Sequence, residues 1–320
     1  MTTDAMSLAD IRALPTLEAL YRELDRMDFV PGWVEQNGIR GVAKGPSRPA
    51  RWSYDTAKAA MDAAGRLINT ELAERRNLVM RNPNGSFPSR TLVSAYQMIL
   101  PGEKARSHRH AAHALRVIID AKRAFSVVDG EKTLMETGDV VLTPGWCWHG
   151  HGHDGDEPAY WFDGLDVPLA LALDGMHFDD YPGGFEPVTS TPVTSPMRFR
   201  WDDTRRMLDA ATADEDGYHG VRVRLDAPAM TTMALYVQRW ESGLATRRFR
   251  ATHNQVFSAM QGSGVSTIGE HSFAWRRGDT FVVPSWHWTS HRTDADAVLF
   301  SMTDEPLMKF CGYHRFEGEA

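Results

Sequence analysis

The chain has 320 residues, of which 42% are apolar, 24% charged and 10% aromatic, which excludes disordered and collagen-like classes and leaves room for about two domains. Lys and Arg total 35 against 42 Asp and Glu, a formal net charge of −7 and the wrong sign for a phosphate-backbone binder. No apolar run approaches the ~20 residues of a membrane span, residues 1–10 lack a signal-peptide layout, and two cysteines make no disulfide framework, so a cytoplasmic protein with neither nucleic-acid nor membrane partner is expected.

Residues 1–88 read as a helical region. Leu17, Leu20, Tyr21 and Leu24 form an amphipathic stripe. Asp55 is placed to cap a second helix through Ala57, Ala60, Met61, Ala64 and Leu67, extending to about Arg76. Asn82-Pro83-Asn84-Gly85 then marks a turn. From 89 to 178 short apolar runs (91–100, 115–119, 124–128, 139–142, 159–162) alternate with turn residues, as in an antiparallel sandwich or barrel. The Pro- and Gly-rich stretch 179–197 reads as a linker. A short helix is expected over 202–211 in a second strand-rich domain spanning 198–320. The two strand-rich regions repeat one another. Gly138-Asp139, Pro144 and the pair Trp146 and Trp148 recur as Gly278-Asp279, Pro284 and the pair Trp286 and Trp288, which points to a duplicated β-barrel.

Six of the 13 histidines fall between residues 108 and 153, where proportional scatter would put roughly two. His108 and His110 share one face of a strand, and so do His149 and His151. Each pair follows a tight turn, Pro101-Gly102 or Pro144-Gly145. A barrel closing around these faces brings three imidazoles onto one metal with open positions left over, a donor set suited to Fe, Zn, Cu or Ni. Arg116 continues the parity, and Gln97 on the preceding strand is placed to line the same cavity. No carboxylate occupies this face at 108–116, so the guanidinium is expected to pair with a carboxylate substrate. Trp146, Trp148 and Trp161 are candidate apolar walls. His113, on the opposite parity, and His153, in a turn, are expected at the surface, and Cys147 as a packed thiol.

The spacing Gly102-x5-His108-Arg109-His110 with Gly138-x5-Pro144-x4-His149 resembles the two cupin metal motifs. Ala114 and Leu115 stand where many cupins carry a Glu ligand, which leaves a three-His centre. Longer strings are similar to the gentisate 1,2-dioxygenase family, which includes salicylate and 1-hydroxy-2-naphthoate dioxygenases. They are Glu74-Arg75-Arg76…Asn82-Pro83, Gln97-Met98-Ile99-Leu100-Pro101-Gly102-Glu103, Ala114-Leu115-Arg116, Val128-Asp129-Gly130-Glu131 and Trp161-Phe162-Asp163-Gly164-Leu165-Asp166-Val167-Pro168.

The resemblance implies a mostly β bicupin: two β-barrel (jelly-roll) cupin domains behind a helical N-terminal region, assembled as a homotetramer. It implies Fe(II) and O₂ used to cleave the bond between the carboxyl- and hydroxyl-bearing carbons of a 2-hydroxybenzoate, giving a ring-opened oxo-diacid. His108, His110 and His149 match the iron ligands, Gln97, Arg116 and His151 match residues that contact substrate or oxygen, and Trp161 and Asp163 match the pocket wall. Asp120-Ala121-Lys122-Arg123 and His113 depart from the usual pattern, so gentisate or another 5-substituted salicylate is the expected substrate. In the second barrel Phe249, Ala251 and Thr289 take the ligand positions and His291 that of His151, so this barrel is expected to be metal-free. A metal-dependent cupin isomerase or epimerase and a non-enzymatic ligand-binding bicupin are the alternatives.

Overall fold

The structure, a computed structural model, describes residues 8–27, 31, 47–73 and 75–319; residues 1–7, where the signal-peptide reading falls, and Glu74 lie outside them. The chain divides into two compact units, Met1–Lys44 and Gly45–Ala320. In the first, the expected stripe lies on the helix Leu17–Arg26, whose start is capped by Thr16 accepting from the Ala19 N–H at 3.1 Å. Among the described residues no helix is long and apolar enough to cross a membrane.

The second unit holds both barrels. Among the described residues its strands form four antiparallel sheets, a six-stranded and a five-stranded one in each barrel. In the first barrel, Val93–Ile99, Ala114–Asp120, Val140–Thr143 and Ala159–Leu165 build one sheet, and Lys104–His110, Ala124–Val128, Glu131–Met135 and His149–His153 the other. The second barrel repeats the plan with Ala234–Trp240, Gln255–Gln261, Thr280–Val283 and Ala297–Thr303 facing Phe249–Ala251, Ser263–Ile268, His271–Arg276 and Thr289–Arg292. The six-stranded sheets meet back to back. Phe162 and Phe300, equivalent in the repeat, lie 6.3 Å apart within one continuous core fed by both barrels. Burying large apolar side chains of this kind stabilises by about 1.5–3 kcal/mol each.

The repeat is longer than the strand patterns indicate, and its leading arms are exchanged. Ala50–Trp52 pairs with Thr280–Val283 of the second barrel, whereas Arg198–Phe199 pairs with Val140–Thr143 of the first. Each arm runs into a helix, Tyr54–Leu67 or Trp201–Ala210, whose first backbone N–H donates to the buried aspartate of the repeated Gly-Asp at 2.9 Å: Tyr54 to Asp279 and Trp201 to Asp139. Arg51 and Arg198 close each joint with 2.7 Å bonds to the same carboxylates. Gly138 and Gly278 have φ of 93° and 87°, and a Cβ on either would run into the ring of Trp201 or Tyr54.

The helical region 1–88 also holds two short strands, Ala50–Trp52 and Arg76–Val79. The helix ends at Leu67, well before Arg76, and its N-cap is Ser53, with Asp55 in the first turn. Three- and four-residue edge strands carry too little alternation to announce themselves. The stretch read as a linker also contributes structure, because Phe178–Asp180 pairs with the outer edge of Lys104–His110. Replacing Asp279 with Ala is expected to lower stability by about 3 kcal/mol, since it leaves the Tyr54 N–H and Arg51 unpaired, and to speed tryptic cleavage at Arg51 and Lys58. Urea unfolding and limited proteolysis measure both; an unchanged digestion pattern would show that the arm is not anchored there.

Candidate metal centre

A bulge between Ala105 and His108 resets the strand so that His108 lies directly opposite His149 on the neighbouring strand, with His110 two residues further on. One ring nitrogen from each of the three lies within 4.8 Å of the others, and all three side chains are buried. Two tautomers follow from the backbone. His110 Nδ1 donates to the Ala112 carbonyl at 2.8 Å and His149 Nδ1 to the Cys147 carbonyl at 3.1 Å, which leaves each Nε2 as a free lone pair. Phe178, the last residue of the stretch read as the first strand-rich region, packs on the His108 ring at 4.7 Å. Burial holds His108 down to about 2 and His149 well below the usual imidazole range; the Arg116 charge pushes both the same way. Three neutral, converging imidazoles are a ready metal site.

The imidazoles form one wall of a cavity of about 260 Å³, below the roughly 300–1,000 Å³ of drug-sized pockets and suited to a one-ring ligand. Gln97, Arg116 and Asp163 supply its polar lining, together with Arg75 and Asn77. Val79, Phe87, Val93, Ala95 and Leu165 make the apolar side. Arg116 is fully buried. Its Nη1 donates to Thr143 Oγ1 at 2.6 Å, its Nε lies 3.5 Å from Asp163 Oδ1, and that Nε has no hydrogen-bond partner. Asp163 also accepts the Trp161 indole N–H at 3.0 Å, and burial pushes its carboxyl up to about 6 against the pull of Arg116.

No carboxylate within residues 108–116 faces Arg116, as expected, but one from outside that span does. Asp163 is its direct cross-strand neighbour, 47 residues on in the sequence. His151 and Trp161 stand behind the cavity wall, with ring centroids 5.6 Å apart. His151 Nδ1 lies 2.9 Å from Ser126 Oγ, while its buried Nε2 has no partner. Trp161 is therefore no exposed wall but a fully buried donor that holds Asp163. Trp146 and Trp148 lie elsewhere, against the Arg109 guanidinium at 5.9 and 4.5 Å.

Of the two histidines expected at the surface, His153 is buried and His113 half-buried. His153 belongs to the strand His149–His153 and is bound through Nε2 to the Glu157 carbonyl, and His113 is bonded at both ring nitrogens. Arg75, Asn77, Val79 and Phe87 were missed as lining residues because they fall in the region read as helical. The string around Arg75-Arg76 was the available signal.

In the second barrel, Phe249 faces Thr289 as His108 faces His149, and Ser266 Oγ lies 2.8 Å from His291 Nδ1 as Ser126 does from His151. Phe257 and Phe281, stacked at 4.8 Å, and Trp240 pack its interior.

Residues 95–167 match the cupin domain. A gentisate 1,2-dioxygenase of Aquipseudomonas alcaligenes is 35% identical over 92% of this chain and 94% of its own. The chain belongs to the gentisate and salicylate 1,2-dioxygenase family. A 5-aminosalicylate 1,2-dioxygenase of Comamonas is 32% identical over 95% of this chain and 91% of that protein. The crystal structure of salicylate 1,2-dioxygenase from Pseudoaminobacter salicylatoxidans with gentisate superposes with a TM-score of 0.88 at 26% identity, covering 99% of this chain and 97% of the other. As a member of that family the protein is a bicupin ring-cleaving dioxygenase.

Because the ligands carry no proton to displace, Co(II) affinity is expected to stay nearly constant between pH 7.5 and 6.0. Three imidazoles titrating at the ordinary value would lose roughly 50-fold over that range through proton competition. Calorimetric titration at both pH values separates the two outcomes.

Proposed function

We propose that the protein binds Fe(II) through His108, His110 and His149 and uses O₂ to cleave a 2-hydroxybenzoate between its carboxyl- and hydroxyl-bearing carbons, giving a ring-opened oxo-diacid. The observation that carries this reading is the meeting, in one small cavity, of three neutral imidazoles and a buried guanidinium. His108, His110 and His149 would hold the ferrous ion, which when bound would supply Lewis acidity and the electrons for O₂ chemistry.

The remaining steps belong to the protein. Arg116 neutralises the incoming carboxylate by a charge-assisted pair. Asp163, itself held by Trp161, keeps the guanidinium in place, and Gln97 offers an amide to the substrate's polar edge. His151 stands behind the ligands with Nδ1 2.9 Å from Ser126 Oγ and its buried Nε2 without a partner, and that nitrogen is the group available to meet a developing oxyanion. The apolar side, from Val79 to Leu165, excludes water and receives the ring. Gentisate or another 5-substituted salicylate is the proposed substrate, in keeping with relatives named for gentisate and 5-aminosalicylate.

Anaerobically Fe(II)-loaded protein is expected to take up one O₂ per molecule of gentisate or salicylate cleaved, and His149→Ala to abolish uptake while the barrel stays folded. Arg116→Lys, which keeps the charge but loses the planar fork, should raise KM clearly more than it lowers kcat. An oxygen electrode checks both. Absence of uptake with every salicylate tested, or catechol cleaved as efficiently as gentisate, would overturn the proposal.

A further inference from the structure

His113 lies outside the cavity lining, yet it is tied into the turn beside the centre. His110 Nδ1 donates to the Ala112 carbonyl, so the orientation of this ligand ring depends on the turn that follows its strand. His113, the next residue in that turn, is held at three points. Its backbone N–H donates to Asp166 Oδ1 at 2.7 Å. Its Nδ1 accepts the Gly145 N–H at 2.9 Å, so its Nε2 carries the proton and donates to Thr231 Oγ1 at 3.1 Å. The other oxygen of Asp166 accepts the Thr232 hydroxyl at 2.5 Å. Thr231 and Thr232 lead into Ala234–Trp240 of the second barrel. Gly145 opens the turn whose Cys147 carbonyl orients His149, and Trp146 in that turn donates its N–H to the His110 carbonyl at 2.7 Å. One side chain thus ties both ligand-bearing segments to the other barrel.

The repeat builds the same joint with a different residue. Asn254 donates its N–H to Asp304 Oδ1 at 2.6 Å, accepts the Ser285 N–H at 3.1 Å, and donates across the interface to Thr91 Oγ1 at 3.2 Å. An acceptor for the turn and a donor for the opposite barrel are therefore what the position requires, and imidazole and carboxamide both provide them.

We propose that His113 is a positioning residue through which the second barrel fixes the orientation of the His110 and His149 ligands. This rests on the metal-centre reading above. It gives the second barrel, whose equivalent positions are Phe249, Ala251 and Thr289, a share in the chemistry of the first.

The test compares wild type, His113→Leu, His113→Asn and, in the second barrel, Thr231→Val. Co(II) affinity, the visible Co(II) spectrum, the melting temperature of the metal-free protein, and kcat and KM of the Fe(II) form are measured for each. His113→Leu is expected to weaken Co(II) binding about 10- to 100-fold, to shift the spectrum and to lower kcat more than it raises KM. His113→Asn, which reproduces the joint at Asn254, is expected to recover affinity and spectrum, and Thr231→Val to lose a few-fold in affinity with the fold intact. Wild-type affinity and spectrum in His113→Leu would overturn the inference, and so would losses that Asn fails to restore and that simply follow the melting temperature. If wild type takes up no Co(II) at all, the metal-centre reading itself fails and takes this inference with it, a result distinct from the other two.

Discussion

Three uncharged imidazoles held together in a water-poor pocket beside a buried guanidinium are the constraint on which the molecule turns. Water is the usual means of keeping a histidine cluster and an arginine content, and here the four side chains are buried from bulk solvent. Burial keeps His108, His110 and His149 neutral, and the charges of Arg116 and Arg75 push the same way. An isolated buried charge costs several kcal/mol, and Asp163 offsets it incompletely because its own burial works against ionisation. The site is thus poised for two guests of opposite sign: a cation for the imidazole lone pairs and an anion for the Arg116 fork. A carboxylate bound beside a metal ion would meet the cation on one side and the Arg116 guanidinium on the other.

Much of the fold can be understood as holding that arrangement. The bulge in Lys104–His110 aligns His108 with His149, and the Phe178–Asp180 edge strand covers the outside of the ligand strand. The exchanged arms lock each barrel's buried aspartate to the helix that opens the other half of the repeat. The second barrel keeps the hydrogen-bonded Ser266–His291 pair of the duplication while filling its own centre with aromatic rings. Its Phe249, Ala251 and Thr289 occupy the ligand positions, and its Thr231 and Thr232 hold the turn beside His110.

The parts legible in the sequence were those with strong local periodicity. Parity placed His108 and His110 on one face, whereas Arg116 reaches the same cavity from Ala114–Asp120 in the other sheet, and the strand Ala124–Val128 matches its predicted limits. The Gly-Asp repeat exposed the duplication and aligned His149 with Thr289. What escaped were features set by partners distant in sequence. Asp163 meets Arg116 only through cross-strand register, and Ala50–Trp52 is a strand only because the second barrel offers an edge 228 residues away from Arg51 at Asp279. Trp161 looked like a wall because aromatic residues line aromatic sites, but its N–H is engaged with Asp163. His113 and His153 looked exposed because parity and turn propensity carry no information about the second barrel or the Glu157 carbonyl.

The most direct test of this account is X-ray absorption at the iron edge of anaerobically Fe(II)-loaded protein, before and after addition of salicylate. The account predicts scattering from three imidazoles in both states, with oxygen ligands replaced by a substrate chelate when salicylate is added. A fourth imidazole contributed by His151, fewer than three imidazoles, or a spectrum indifferent to salicylate would contradict it.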